Sequence, residues 1–402
     1  MSNQLLTISM ITREALRVLV NNLVFTNHVE RQYDDYYGKV GAKIGNVLNI
    51  RKPPRFVRTD GQGLQLQDVT ETSVPLVLTT QGQRSFVFSS QDLELSIDDF
   101  SKRFVKPAVA SLANQVDYDG LQQVINVYQA VGTPGTTPNA LLTYLQAQQK
   151  LNEAAAPDDD ERYIVIGPPA QASIVDALKG LFHASSEISE QYKRGKMGTT
   201  IGAEWYMDQN VATQTAGTLG GTPTTLTTGS PQTGSSWSIV ALGSTNTVLQ
   251  GDRFTIAGVH SVNPQNFNST GSLQVFVVTA GATASGGAIT NLQISPAITT
   301  SGPSQTVDAA PATSAAITFL SAPSVASPQN VLFHKEAFAM ACADLPLPGG
   351  VDMAKRISDK ELGLSIRLVR AYDINQDRFP LRLDFLYGWT TLYPQLACVV
   401  NG

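Results

Sequence analysis

Few residues in this sequence have the types and spacing that enzyme chemistry needs. The four histidines are widely separated, and no two of them have the spacing of metal ligands. The chain contains no H-E-x-x-H, G-x-S-x-G or G-x-x-x-x-G-K-[ST] motif, so metalloprotease, hydrolase and phosphate-binding signatures are missing. The two cysteines, Cys342 and Cys398, lie far apart, and we expect two buried, reduced thiols. The sequence therefore predicts no catalytic residue, no cofactor and no metal site.

Two acidic clusters could in principle bind a divalent cation. Residues 158–161 are Asp-Asp-Asp-Glu, which we interpret as a solvated loop. Residues 373–377 place oxygen ligands at positions 1, 3 and 5 of a calcium loop, with Asp384 at position 12. However, Arg378 stands where such a loop needs glycine. We therefore expect a turn between two strands there, with calcium binding as the alternative.

Composition narrows the class of function. The chain has 402 residues and a formal net charge of -5, and 15% of its residues are charged. Proteins that bind nucleic acid tightly usually present a basic surface, so a DNA-binding module is disfavoured. No apolar run reaches the roughly 18 residues of a membrane span, and we find no secretion signal. These observations predict a protein that is made in a cytoplasm and does not contact a membrane.

The first third of the chain is predicted to contain an arm, a hairpin and a long helix. A helix is expected after Thr12, within residues 1–46. Within residues 47–92 we predict a strand at 47–50 and a long hairpin, which runs from 69–78 through Gln81-Gly82 to 85–88. This hairpin is too polar to bury a core of its own, so it needs a partner surface. Residues 93–131 are predicted as a long helix that restarts at Pro107.

The rest of the chain alternates between mixed and β-rich patterns. Residues 141–155 are predicted as a helix, 163–166 as a strand, and the segment after Pro168-Pro169 as a second helix. Residues 213–328 contain three charged residues (Asp252, Arg253 and Asp308), and their β-prone runs predict a small antiparallel β-domain. That domain looks inserted, because the mixed pattern stops before it and resumes after it. Residues 330–343 are expected to form a strand and then a short helix, and strands are predicted at 364–370 and 382–389.

Taken together, the segments resemble the major capsid proteins of tailed double-stranded-DNA bacteriophages, which have the Hong Kong 97 fold. The nearest branch is the podovirus-type coat proteins that carry an inserted β-domain. The segments that carry the resemblance, in order, are residues 10–16, 31–34, 50–53, 95–100, 106–110 with 112–114, 251–259, 333–338 and 386–388. Each segment alone is weakly specific, whereas their order over nearly the whole chain is specific.

The resemblance implies an α+β fold with named parts. These parts are an N-terminal arm (1–46), an E-loop with peripheral-domain strands (47–92), a spine helix (93–131), a first axial segment (132–212), the inserted β-domain (213–328), an axial return (329–345) and C-terminal peripheral-domain strands (346–402). It implies self-assembly into hexamers and pentamers of an icosahedral shell. It also implies a scaffolding protein, a portal protein and packaged double-stranded DNA, which is contacted non-specifically, as partners in the virion.

Ionic contacts between subunits are predicted at the start of the E-loop. We expect Arg51, Lys52, Arg55 and Arg58 to meet acidic groups of a neighbouring subunit, such as Asp98 and Asp99. The alternative at this point is a scatter of exposed charges. For the whole chain the alternative function is a β-rich binding or adhesin-type virion protein.

Overall fold

The computed structural model describes residues 23–31, 45–57, 61–63, 66–69, 71–89, 104, 106–178, 199–225, 232–359 and 364–402. The predicted helix after Thr12 lies outside these residues. The described α-helices are α1 (Lys106–Leu121), α2 (Leu141–Glu153) and α3 (Pro168–Leu178). Short 3-10 turns occur at Thr26–His28, Gln122–Asn126, Lys335–Ala337 and Pro394–Leu396. None of these helices is long and apolar enough to cross a membrane.

Strands make up most of the described regular structure. In chain order they are β1 (Val47–Lys52), β2 (Thr72–Val77), β3 (Thr80–Ser89), β4 (Ala130–Val131), β5 (Arg162–Ile166), β6 (Thr199–Thr200), β7 (Ala203–Met207), β8 (Thr213–Thr215), β9 (Gly221–Thr224), β10 (Gly234–Leu242), β11 (Thr247–Val248), β12 (Arg253–Val262), β13 (Ser269–Ala280), β14 (Ala282–Thr283), β15 (Ile289–Ile298), β16 (Ile317–Phe319), β17 (Ala326–Pro328), β18 (Asn330–His334), β19 (Phe338–Ala343), β20 (Met353–Asp359), β21 (Leu364–Arg370), β22 (Arg378–Thr391) and β23 (Ala397–Val400).

The chain divides into two compact units. Unit 1 comprises residues 1–50, 73–120 and 338–390, and unit 2 comprises residues 51–72, 121–337 and 391–402. In unit 1, strands run in the order β19-β22-β21-β20, and β3 also pairs with β22. The apolar side chains of β22 alternate along the strand, so Leu381, Leu383, Phe385 and Tyr387 are all buried on one face.

Helix α1 packs on the strands of unit 1 through a glycine. A Cβ atom added at Gly82 of β3 would stand 2.8 Å from Cδ1 of Leu112 and 3.4 Å from Cε1 of Tyr387. Arg84, two residues along β3, donates from Nε to the hydroxyl of Ser111 at 2.9 Å. The hydroxyl of Tyr387 donates to Asp119 at 2.5 Å. The predicted start of a helix near Pro107 is confirmed, since α1 begins at Lys106.

The hairpin predicted between β2 and β3 is wrong, because the two strands pair with other strands. Strand β3 does not pair with β2, because it runs antiparallel to β22 over ten residue pairs, from Ser89–Arg378 to Thr80–Tyr387. Gln81 and Gly82 therefore lie inside a strand and not in a turn. Strand β2 pairs with β1 instead. The polar pattern correctly indicated that β3 needs a partner, but the partner lies about 300 residues away in sequence, where local turn signals give no information.

The first part of unit 2 is a mixed sheet covered by helices. Its strands run in the order β4-β23-β18-β5-β7-β6, with β5 and β7 parallel. The predicted helix at 141–155 and strand at 163–166 are confirmed as α2 and β5. The core between sheet and helices contains Tyr144, Leu151, Ile164, Ile174, Trp205 and Cys398.

The β-rich segment forms a second sheet in unit 2. Its strands run in the order β16-β12-β13-β15-β10-β9, and every pair in it is antiparallel. It has a hydrophobic cluster of its own, in which Phe254 stacks on Phe276 with ring centroids 5.7 Å apart. The predicted antiparallel β-structure is therefore confirmed. That the segment is an insertion stays a prediction.

Two other predictions differ from the structure. The long helix does not continue to residue 131, because the 3-10 turn ends at Asn126 and Ala130–Val131 pairs in parallel with β23. The short helix expected within 330–343 is a single 3-10 turn, after which Phe338–Ala343 forms β19. Sheet pairing and burial of the alanine-rich segment override its helical propensity there. A domain limit also differs from the one expected. Residues 346–402 were expected to form one part, whereas β23 belongs to unit 2 and residues 338–390 belong to unit 1.

Candidate functional site

The predicted cationic contacts lie where β1 ends. Arg51 and Lys52 are the last residues of β1, and Pro53-Pro54 then stop the ladder because proline has no N–H to donate. Arg51 forms an ion pair with Glu71 at 3.5 Å, and both side chains are largely exposed. Lys52 places its Nζ 4.8 Å from the ring centroid of Tyr393. Arg58, Asp98 and Asp99 lie outside the described residues.

Lys52 and Arg55 are close enough to influence each other. Burial of Lys52 lowers the pKa of its ammonium, and the positive charge of Arg55 lowers that pKa further. In the part of the chain that the structure describes, no carboxylate forms an ion pair with Lys52 or Arg55. The two cations therefore repel each other, and neither is neutralised by an ion pair within the described residues.

Both cations line a cleft of about 680 Å³ in unit 2. We call it the cationic cleft and define it by Lys52, Arg55, Tyr128, Lys150 and Tyr393. Seven prolines also line it, which makes its walls stiff: Pro53, Pro54, Pro157, Pro264, Pro296, Pro303 and Pro394.

The charges of the cationic cleft sum to one excess cation. Lys150 is neutralised by Glu153, whose carboxylate lies 3.0 Å from its Nζ. The remaining charged lining residues are Lys52, Arg55 and the exposed Glu336. Burial raises the pKa of Tyr128 to about 12, so this phenol stays neutral in the cleft wall. The cleft can therefore accept an anionic group without further neutralisation.

Apolar side chains are unusually exposed in the segment that follows β1. Phe56 is 60% exposed, Leu66 is 86% exposed and Val69 is 57% exposed. Single exposed apolar residues are common, but three within fourteen residues of one connecting segment indicate a surface that another chain covers.

The acidic residues 158–161 are held by cations of the same unit. His334 contacts Asp159 at 3.1 Å, and Lys335 donates to Glu161 at 2.9 Å. Ligand atoms of Asp159, Glu161 and His334 lie within 4.8 Å of one another, a spacing that a metal ion could bridge. However, the backbone N–H of Glu336 donates to Nδ1 of His334 at 3.3 Å, so Nε2 is the ring nitrogen whose proton is directed at Asp159. A metal at Nε2 would have to displace that proton and Lys335, so this geometry suits an ion-pair network better than a metal.

The calcium-like sequence at 373–377 forms a turn. Asp373 accepts from Nε of Arg378 at 2.9 Å, and the backbone N–H of Asn375 donates to it at 3.1 Å. Asp384 is fully buried in β22, where Arg367 and Arg382 both donate to it. The two carboxylates therefore face arginines, and the predicted turn between strands is confirmed.

Both cysteines are free thiols, as predicted. Cys398 is buried in the core of the mixed sheet, and Cys342 is partly buried. Burial raises the pKa of each thiol to about 12. At neutral pH both are protonated and poorly nucleophilic.

The sequence analysis found the cations but not the cleft. Its walls come from segments near residues 53, 128, 153, 264, 303 and 394, which only the fold brings together. The one local signal was the Arg51-Lys52-Pro53-Pro54 run, where two cations precede two prolines that end a strand.

Several solved structures align with most of this chain at low sequence identity, and three phage structures are examples. The first, from Mycobacterium phage Che8, is 12% identical, has a TM-score of 0.45, and aligns over 94% of this chain and 90% of that chain. The capsid of Ralstonia phage GP4 is 7% identical, with a TM-score of 0.45, over 93% of this chain and 86% of that one. The mature capsid of bacteriophage PhiM1 is 13% identical, with a TM-score of 0.40, over 89% and 82%. Among curated proteins, none matches this chain.

The fold class and the family together define a major capsid protein of α+β fold. The family model described as P22 coat protein, gene protein 5, matches residues 2–400, and the chain belongs to that family. Copies of the chain therefore assemble into the multimeric shell of a bacteriophage virion. This result supports the capsid interpretation over the adhesin-type alternative.

Proposed function

We propose that the segment from Arg51 to Val69 is a contact between subunits of the shell. The observation that carries this proposal is the exposure of Phe56, Leu66 and Val69 in a segment that follows two prolines. Burying such side chains against a neighbour contributes about 25 cal/mol per Å² of apolar surface removed from water. An isolated subunit would leave this surface in water.

The cations of the same segment give that contact its ionic component. We propose that Arg51, Lys52, Arg55 and Arg58 face carboxylates of a neighbouring subunit, with Asp98 and Asp99 as candidates. The absence of an intramolecular counter-ion for Lys52 and Arg55 among the described residues supports this proposal. Arg51 already has Glu71 as a partner, so we expect it to contribute least.

The shell encloses double-stranded DNA in this proposal and touches it non-specifically. A net charge of -5 supports a wall that does not hold the packaged genome, because tight binding would need many phosphate contacts by Lys and Arg. Assembly takes place in the host cytoplasm with a scaffolding protein and a portal protein. We also propose that the chain is not an enzyme, which the raised pKa values of both thiols support.

The proposed parts follow the limits deduced from the sequence. Residues 1–46 would be the arm, 47–92 the E-loop with strand β3, and 213–328 an inserted β-domain flanked by axial segments. The spine, predicted as 93–131, would end at Asn126, where the 3-10 turn after α1 ends. The separate hydrophobic cluster of the β-rich sheet supports the last assignment. The clustering of β23 with unit 2 argues for ending the peripheral part near residue 390.

Negative-stain electron microscopy with sedimentation tests the proposal. The chain is expressed alone and together with a candidate scaffolding gene, and both preparations are compared with a variant in which Phe56 and Leu66 become serine. Closed shells or curved sheets from the wild-type chain, with monomer from the variant, are the expected result. Wild-type shell yield from the variant would refute the role of this segment in assembly. A monodisperse wild-type monomer under both conditions would show that the assembly partners proposed here are insufficient.

A further inference from the structure

Among the described residues, Lys52 and Arg55 in the cationic cleft have no ion-pair partner, and the positions of both are restrained. Lys52 is fixed by β1 and by the Tyr393 ring beneath its ammonium. Arg55 follows two prolines, which restrict its backbone. A pair of like charges held together costs free energy, which a carboxylate between them would recover. The cleft is therefore suited to an acidic segment.

The same unit presents an acidic segment that is exposed and incompletely neutralised. We define the acidic loop as residues 157–161. The side chain of Asp158 is 82% exposed, and its nearest cation is Nη1 of Arg162 at 3.8 Å. Asp160 is exposed and has no cation partner among the described residues. By contrast, the exposed carboxylates of Glu71 and Asp352 are paired with Arg51 and Arg370.

Buried contacts hold the acidic loop in one conformation. Arg162 is 1% exposed and donates to the carbonyl oxygens of Pro157 and Ala156, each at 2.9 Å. The third donor of its guanidinium reaches Asn152 on α2 at 2.9 Å. Asp160 has a φ of 64°, a left-handed conformation that the surrounding contacts maintain. A carboxylate that is already ordered loses little entropy on binding, which favours it as a docking element.

We propose that the acidic loop of one subunit docks in the cationic cleft of a second copy of this chain, with Asp158 and Asp160 facing Lys52 and Arg55. This inference rests on the proposed function, and it names the carboxylates that the cations meet. Charge complementarity selects the occupant, since the loop brings the exposed carboxylates of Asp158, whose only ion pair is the long one with Arg162, and of Asp160, which has none among the described residues, to two cations without an ion-pair partner. The contact is between copies, because in one chain no described carboxylate pairs with either cation.

A charge-exchange experiment tests this pairing. Arg55→Glu and the double variant Asp158→Lys with Asp160→Lys are each expected to lower shell yield by about tenfold or more, because like charges then face each other. Combining all three changes with Lys52→Glu, so that both cations and both carboxylates are exchanged, is expected to restore the yield to within about twofold of wild type. Lys355→Glu, a reversal at an exposed lysine outside the cleft, is the matched control for a change of net charge.

The outcomes separate the inference from the proposed function. If Arg55→Glu lowers the yield and the acidic-loop changes do not restore it, whereas Asp98→Arg with Asp99→Arg does, the docking inference is wrong and the proposed function stands. If Arg55→Glu leaves yield and salt sensitivity unchanged, the docking inference and the ionic component of the proposed contact are both wrong, and the apolar contact is judged by the Phe56 and Leu66 variant. Thermal unfolding of the unassembled variants shows whether each one folds.

Site-directed cross-linking gives a second test that does not depend on yield. Copies that carry Arg55→Cys are co-assembled with differently tagged copies that carry Asp160→Cys, and the shells are oxidised. A disulfide that joins the two differently tagged copies is the expected result, since burial raises the pKa of both native thiols to about 12 and makes them poorly reactive. Efficient cross-linking of wild-type copies under the same conditions, or none between the two variants in intact shells, would overturn the inference.

Discussion

Arg253 donates from its Nε to the carbonyl oxygen of Val127 at 2.7 Å. Val127 follows the 3-10 turn after α1, whereas Arg253 begins β12, so one hydrogen bond ties the β-rich sheet to a segment 126 residues earlier. The same guanidinium reaches Gln329 at 2.7 Å and the carbonyl oxygen of Val124 at 3.3 Å. Burial lowers the pKa of Arg253 to about 10, which still leaves it charged at neutral pH.

Replacing Arg253 with methionine should destabilise unit 2. The change leaves the carbonyls of Val124 and Val127 without this donor, and a lost buried hydrogen bond to a charged group costs about 2–3 kcal/mol. Urea unfolding of the unassembled chain measures the change in free energy of unfolding. Arg370→Met, which removes a half-exposed ion pair with Asp352, is the control and should cost about 1 kcal/mol or less. Equal effects of the two changes would contradict the structural role of Arg253.

Two glycines of unit 1 should differ sharply in their tolerance of alanine. A Cβ at Gly388 would lie 2.2 Å from the carbonyl oxygen of Val77, a backbone atom that cannot move alone. The one contact under 3 Å that a Cβ at Gly82 would make is with the flexible side-chain end of Leu112, at 2.8 Å. We expect Gly82→Ala to cost about 1–3 kcal/mol and Gly388→Ala to cost more, with a loss of soluble protein. Thermal unfolding of the three variants measures these costs. Gly349→Ala is the control and should not change the unfolding temperature, because nothing lies within 4 Å of a Cβ added there.

Asp208 should make the stability of unit 2 depend on pH. Desolvation raises the pKa of this buried carboxyl above its ordinary 3.8, and among the described residues its Oδ2 has no hydrogen-bond partner. A raised pKa in the folded state contributes stability below the unfolded pKa, and that contribution is lost as pH rises through the folded value. Asp208→Asn should therefore raise the free energy of unfolding at pH 7 by about 1 kcal/mol, with a smaller gain near pH 4.

Asp159 is a control for that experiment, because its contribution to the free energy of unfolding depends on pH in the opposite direction. Desolvation alone would raise its pKa, but the hydrogen bonds from His334 and from the backbone N–H of Glu161 lower it below 3.8 overall. Its contribution to stability is present above the unfolded pKa and is lost as pH falls through the folded value. Asp159→Asn should thus destabilise the chain at pH 7 and have a fading effect in acid. The same sign for both variants would contradict these assignments.

Cys398 should resist alkylation in the folded chain. Its side chain is buried in the mixed sheet of unit 2, and burial raises the pKa of its thiol to about 12. Treatment with iodoacetamide at pH 8, followed by mass spectrometry, should show no label on Cys398 until denaturant is added. Labelling of Cys398 at the rate of a small-molecule thiol would show that this sheet opens readily.

Local pattern was enough for many elements of this fold. Apolar and polar residues alternate in 364–370 and 382–389, and both segments are strands. Strand β15 was missed, since Ile289–Ile298 contains Pro296, which normally argues against a strand interior. The turn at 373–378 was predicted because Arg378 stands where a calcium loop needs glycine.

Pairing between distant segments could not be read in the same way. Strand β3 has the composition of a hairpin arm, and its true partner β22 is fixed by burial against α1. The acidic residues 158–161 looked like a plain solvated loop. Their anchoring by Arg162 and His334 depends on the register that places His334 beside Arg162 in neighbouring strands.

The order of segments along the chain determined the family resemblance, the α+β class and the antiparallel character of residues 213–328. These properties depend on residue types at short spacing, which each segment carries by itself. The tertiary structure decided which strands pair, where the spine helix stops, and that Lys52 and Arg55 line a stiff cleft without a counter-ion. The physical reason is that burial and charge neutralisation depend on neighbours in space, and those neighbours come from segments up to several hundred residues apart in sequence.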